Sequence, residues 1–306
     1  MKVLITGSGG MLGSALCDVL SGSNYKIIGL DVKKPSAKRR FNNFIRCDIT
    51  NYNKLLKAVK GSGPDLIIHT AAFTDVDGCE SDPGRAESVN SLGARYIAET
   101  ALEANSRLIY ISTDFVFDGQ KKESYRENDE PHPINIYGRS KLDGERYVKE
   151  IAGKNHLIIR SSWIFGMGGK NFVDTILNKA KTQKELRVVS DQFGSPTYAA
   201  DLADAIKRIL DILKDRIDIS GIYHITNSDN CSWYKLAQRS LRFANIYDID
   251  LIPITSQELD RPAERPMISI LDNARFVKLL GRPMRPWEKA LEEYIRLRRQ
   301  RRKKDV

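Results

Sequence analysis

Cysteine is scarce and unpaired in this chain. Cys17, Cys47, Cys79 and Cys231 are scattered over 306 residues, and no C-x-x-C pair occurs. That pattern excludes a disulfide framework and predicts reduced thiols in a cytoplasmic protein. Histidine is as sparse: His69, His132, His156 and His224 stand alone, so no dedicated metal site is expected from them. No apolar run approaches the roughly 18 residues of a membrane span. The opening MKVLITGSGG runs from Met1 into a strand-like stretch and then glycines, without the longer apolar stretch and cleavage site of a secretory signal. There is no internal repeat and no long low-complexity linker. Negative charge is in deficit, with a net charge of +10, but the last twelve residues, IRLRRQRRKKDV, hold five Arg, two Lys and one Asp. That is +6 in the tail and +4 over the other 294 residues. A body so weakly basic does not call for a nucleic-acid partner, and no aromatic residue interleaves the tail to stack bases.

What the chain does have is rhythm. Apolar runs at 2–6, 25–31, 44–50, 65–72, 107–113 and 156–166 alternate with helical stretches. Strands alternating with helices predict an α/β fold, a doubly wound parallel sheet of Rossmann-like type. The expected division is a dinucleotide-binding part over 1–166, with later returns near 186–226, and a smaller, mainly substrate-binding part over 167–306. In that second part the prolines 262, 266, 283 and 286 interrupt regular structure, and Pro286 suits the first turn of a closing helix.

The first strand runs into ITGSGGMLGS, which opens a helix. Gly7, Gly10 and Gly13 allow a tight turn and close approach of backbone to a pyrophosphate at a helix N-terminus. Asp31 closes the second strand, 24 residues after Gly7, where a carboxylate can accept from the adenosine ribose. That favours NAD, yet Lys33, Lys34, Arg39 and Arg40 follow and could offset repulsion of a 2′-phosphate, so NADPH and NADH both stay open. Asp48 has two readings, a contact to adenine or the N-cap of the helix near Tyr52. Further polar groups gather at carboxyl ends of strands: Ala71, Ala72 and Phe73 after the fourth, Ser112, Thr113 and Asp114 after the fifth, and Tyr137 with Lys141 on the next helix. Tyr137 and Lys141 are four residues apart and share a helix face. A nearby ammonium would lower the phenol's pKa. Thr113 could orient a carbonyl while Tyr137 gives it a proton as hydride reaches the carbon.

These stretches resemble the extended short-chain dehydrogenase/reductases and, within them, the dTDP-4-dehydrorhamnose reductase family. The resemblance is carried by TGSGGMLG, HTAAFTDVDGCESDP, STDFVFDG, YGRSKLDGE, RSSWIFG, SDQFGSPTYAADLA, GIYHITNSDNCSWYKLA and RPMISILD, from residue 6 to about 272. It implies Tyr137 as proton donor, Lys141 as ribose-binding lysine and Thr113 as third catalytic member. It implies Gly10, Met11 and Leu12 along the pyrophosphate, and Asp31, Asp48 and Ile49 at the adenosine half. Ala71, Ala72 and Phe73 would flank the cofactor. Asp114 and Trp163 would touch the sugar, Asn90 would stand near the active site, and Arg265 would meet the nucleotide diphosphate. Phe115 departs from the family's frequent tyrosine, which leaves the sugar open. The absence of Glu at that position argues against dehydration.

The implied function is reduction of the 4-keto group of dTDP-4-dehydro-6-deoxy-L-mannose to dTDP-L-rhamnose with NADPH or NADH. Two other functions stay in view: a non-catalytic regulatory subunit like the methionine adenosyltransferase beta subunit, and a reductase or epimerase for another nucleotide-linked deoxysugar. The resemblance also allows a homodimer, with magnesium at a subunit contact from Glu288, Glu292 or Glu293.

Overall fold

The structure, a computed structural model, describes residues 1–34, 41–213 and 219–304. Arg39 and Arg40 therefore lie outside the described residues. Strands β1 (Lys2–Thr6), β2 (Lys26–Asp31), β3 (Asn43–Arg46), β4 (Leu66–His69), β5 (Arg107–Thr113) and β6 (His156–Ser161) form one parallel sheet with the edge strand Gly221–His224. The spatial order is Gly221–His224, β6, β5, β4, β1, β2, β3. The chain thus winds outward from β1 in one direction and returns to β4 to wind in the other. Ligands of such sheets bind beside that reversal, at the carboxyl ends of β1 and β4.

The strands read as near-continuous apolar runs because helices cover both faces. On one face α1 (Met11–Ser21) and the helix Ala199–Leu213 bury Leu16, Leu20, Leu202, Ile206 and Ile209 against Val3, Ile5 and Ile68. On the other, α2 (Tyr52–Ser62) and the helices Gly93–Glu103 and Ile136–Ala152 bury Leu55, Val59, Ile97, Ala101 and Val148 against Leu4, Ile67 and Ile158. A separate core binds the helices Phe172–Lys179, Trp233–Phe243 and Trp287–Lys304 to the strand Glu185–Val189.

Several boundaries differ from expectation. The sixth apolar run breaks at Ser162–Trp163, where Trp163 takes a φ of 47°; Ile164–Phe165 then pairs with Thr197–Tyr198 outside the main sheet. Among the described residues of 186–226, only Gly221–His224 returns to the main sheet. Glu185–Val189 pairs instead with Asp250–Ile254, a strand hidden in the proline-rich region. α2 ends on Gly63, left-handed at φ 54°.

Two histidines are sealed in this scaffold. His69 and His224 are 1% and 0% exposed. Burial holds their pKa values at about 3, with Lys141 and Arg160 respectively adding to the effect. The unfolded chain therefore binds protons first as pH falls from 6.5, so each ring's contribution to stability is present above that pH and is lost toward pH 3. Each adds a slope of about 1.4 kcal/mol per pH unit. Urea titrations of His224→Gln between pH 6 and pH 4 should show a curve flatter by about that amount; an unaltered slope would contradict the sealed neutral ring.

Candidate active site

At the end of β1 the chain turns through Gly7 at φ 63°, and Gly10 starts α1. A Cβ on Gly13 would stand 2.2 Å from the Gly7 carbonyl oxygen, so helix and turn meet backbone to backbone. No side chain caps α1. Its first N–H groups, around Met11 and Leu12, are left for a ligand, with the positive end of the helix dipole behind them. The Met11 side chain lies against Gly166 and Gly169, while that of Leu12 enters the core. Asp31 Oδ2 accepts from Gly9 N at 2.8 Å, which fixes a carboxylate beside the turn. These groups fit a dinucleotide. Gly13→Ala should cost about 3 kcal/mol of stability by overpacking and weaken nucleotide binding with it, read by denaturation and titration calorimetry.

Asp48 is exposed and accepts from Thr50 N and Oγ1 at 3.0 and 2.9 Å, an Asx turn. The cap of α2 is Asn51, which accepts from Lys54 N, so Asp48 does not serve as cap. Ile49 is buried against Gly93. Ala71, Ala72 and Phe73 follow β4 half-buried, with Ala71 directly facing Gly7.

The polar cluster is built where β5 ends. Thr113 is followed by a single 3₁₀ turn, Asp114–Val116. Asn135 starts the helix Ile136–Ala152, accepting from Gly138 N at 2.7 Å and donating to Glu264 O. A Cβ on Gly138 would lie 2.0 Å from Phe115 O, so the helix sits directly on that turn. This sets the Thr113 hydroxyl beside the Tyr137 phenol, and the Phe115 ring edge-on to Tyr137 at 5.5 Å. One turn on, Lys141 is buried; its Nζ donates to Ile111 O at 2.7 Å and lies 4.1 Å over the Tyr110 ring. Tyr110 in turn donates to Lys141 O at 3.2 Å.

The electrostatics depart from the simple expectation. Burial outweighs all else at Tyr137 and raises its phenol above the ordinary range, with Thr113 pulling the other way. Burial brings Lys141 down to about 7, opposed by Glu145. In the ligand-free protein the lysine is thus a weak cation and the tyrosine a firmly protonated acid. Burial likewise lifts Asp114 to about 7, against hydrogen bonds from Ser269 and Thr113.

Asn90 sits in a π-helical turn, Glu87–Leu92, and is 1% exposed. Its amide accepts from Phe73 N at 2.8 Å and donates to Phe73 O and Ser140 Oγ. It ties the loop after β4 to the tyrosine helix. Three groups escaped sequence reasoning. Tyr110 supports Lys141 from a strand interior, where nothing in the alternation marks it. Glu145 and Arg160 form an ion pair at 2.6 Å with side chains 2% and 1% exposed, and Ser112 donates to Glu145 at 2.5 Å. Only the four-residue spacing of Lys141 and Glu145 hinted at that group.

Beyond this cluster, Trp163 stacks on Trp233 at 3.5 Å with the rings 8° apart, and Phe172 packs on Trp233 at 4.6 Å. That stack holds a bulky residue in left-handed backbone, a strain commonly stored at binding sites. Arg265 donates to Asp77 at 2.7 Å and to Ala263 O, so its guanidinium is engaged at the rim after β4. Glu288, Glu292 and Glu293 each meet a cation: Arg239, Lys289 and Arg285.

Comparison with known proteins gives this arrangement relatives. The family model for the RmlD substrate binding domain matches residues 1–299. The spore coat polysaccharide biosynthesis protein SpsK of Bacillus subtilis is 38% identical over 97% of this chain and 98% of its own. The dTDP-4-dehydrorhamnose reductase of Aggregatibacter actinomycetemcomitans is 36% identical over 95% and 97%. Among solved structures, a dTDP-4-dehydrorhamnose reductase from Bacillus anthracis in complex with NADP superposes with a TM-score of 0.86 at 37% identity, covering 96% of this chain and 98% of that one. The chain belongs to the RmlD substrate binding domain family.

Proposed function

We propose that the protein reduces the 4-keto group of dTDP-4-dehydro-6-deoxy-L-mannose, giving dTDP-L-rhamnose, with NADPH or NADH. The observation that carries this reading is the Thr113–Tyr137–Lys141 cluster on the carboxyl side of the sheet, next to an uncapped glycine turn. The Bacillus anthracis relative is described in complex with NADP, and we carry a nicotinamide cofactor over to this chain.

The bound reduced nicotinamide supplies the hydride. The chain's own groups do the rest. The first turn of α1 holds the pyrophosphate through its N–H groups. Asp31 receives the adenosine ribose, releasing Gly9 N to the phosphates. Lys141 binds the nicotinamide ribose, and recovers charge as its Nζ gains hydroxyl acceptors. Thr113 orients the substrate ketone, and Tyr137 gives its phenolic proton to the ketone oxygen. Trp163, backed by Trp233, presents a flat face to the sugar, and Phe115 sets an apolar ring beside Tyr137.

Purified protein should consume NADPH or NADH in the presence of this ketosugar, followed by nicotinamide absorbance. Turnover of related ketosugars but not this one would sink the substrate assignment.

A further inference from the structure

Two adjacent turns of the helix Ile136–Ala152 are fastened to two consecutive residues of β5. Lys141 Nζ donates to Ile111 O at 2.7 Å. One turn along, the Glu145 carboxylate accepts from Ser112 Oγ at 2.5 Å, from Arg160 Nε at 2.8 Å and from Arg160 Nη2 at 2.6 Å. Ser112 and Arg160 are partners in register across β5 and β6. A buried ion pair is a poor way to hold a helix on a sheet, since packed apolar residues serve stability as well. Here it is also incomplete: Arg160 Nη1 is buried with no hydrogen-bond partner among the described residues. The charge calls for another use, and Lys141 stands beside it on the same helix face. Facing Lys141 are His69 from β4, Tyr110 from β5, Tyr137 and Glu145 from its own helix, and Arg160 of β6 behind Glu145. The π-helical turn adds the neutral Asn90, and the helix Gly93–Glu103 keeps Arg95 and Glu99 in a pair of their own. Glu145 is the anion of that set.

We propose that Ser112, Glu145 and Arg160 are positioning residues for Lys141: the hydroxyl and the guanidinium pin the Glu145 carboxylate one turn along the helix, where its charge sustains the lysine's ammonium without bonding it. This rests on the reading of Lys141 as the ribose-binding lysine. Three hydrogen bonds turn the carboxylate toward the sheet, so it does not swing onto Lys141 and close a pair that would use up the lysine's N–H groups. Those groups are left for the ribose hydroxyls. Burial draws the lysine toward its neutral form, and the field of Glu145 opposes it. The backbone of Lys141 is fixed as well, because its carbonyl accepts from the Tyr110 hydroxyl.

The double variant Glu145→Leu, Arg160→Met takes away the anion together with its counter-charge. NADPH and NADH titrated by calorimetry into wild type and the double variant between pH 6 and pH 9 read the lysine without any turnover. Wild-type affinity should decline as pH rises and Lys141 loses its proton. In the double variant that decline should begin about one pH unit lower, with affinity at pH 7.5 down roughly tenfold. The alkaline limb of kcat/KM with the ketosugar should move by the same amount. Denaturant melts separate this from a structural role, because the double variant should melt close to wild type. A decline and a limb that stay where wild type has them overturn the proposal. So does a double variant as unstable as Arg160→Met alone, since the pair would then serve the fold. A wild type that binds cofactor but turns over no ketosugar sinks the reductase reading and leaves the titrations to judge the positioning residues; one that binds neither cofactor sinks both.

Discussion

Tyr137→Phe is expected to lower turnover by roughly a hundred- to ten-thousandfold, the range of a lost general acid. The substitution removes one oxygen and keeps the ring, so the edge-on contact with Phe115 survives. The nucleotide turn and Lys141 are untouched, so cofactor should bind as in wild type. The loss should fall equally on kcat and kcat/KM, the pattern of an interaction made only in the transition state. Nicotinamide absorbance gives the rate, and cofactor titration gives the binding. A variant within tenfold of wild type would remove Tyr137 from its assigned role.

Arg160→Met should destabilise the fold by about 3–5 kcal/mol, because it strands the Glu145 carboxylate in the interior. Glu145 is held there by both Arg160 and Ser112, and neither remaining hydroxyl nor solvent replaces a guanidinium. The double variant Glu145→Leu, Arg160→Met removes both charges and should recover most of that loss, since apolar residues of similar volume often serve as well. Denaturant melts of the two variants beside wild type give the comparison. A double variant as unstable as the single one would mean that the pair contributes through its shape rather than its charge balance. Tyr137 and Lys141 share a helix with Glu145, so the same variants report whether the pair supports Lys141's charge. Without Glu145, burial acts on Lys141 unopposed, and its pKa should fall further.

The strands and the nucleotide turn were legible because each rests on local signals. Branched apolar runs, glycines at fixed spacing and an acid at a strand end do not depend on the rest of the fold. Thr113, Tyr137 and Lys141 were legible as types, and the structure brings them together where β5 meets the helix Ile136–Ala152. What escaped was long-range. Glu145 and Arg160 are fifteen residues apart and read as ordinary surface charges until two elements press them together. Trp163 was named without its partner, because nothing local connects it to Trp233. The lowered pKa of Lys141 depends on how deeply the helix is buried, which its amphipathic pattern does not state. The strand Asp250–Ile254 was masked by Pro253, which a strand edge tolerates.

The π-helical turn at Glu87–Leu92 holds one residue more than an α-helix would need there. Each residue advances a helix by about 100°. Deleting one residue from this turn would restore α-helical phase and rotate Asn90 by that angle away from Phe73 and Ser140. The helix Gly93–Glu103 beyond it could keep its own packing. The wide turn therefore acts as a phase shifter between two halves of one long helix, one half set by the core and the other by the loop that borders the cofactor cleft.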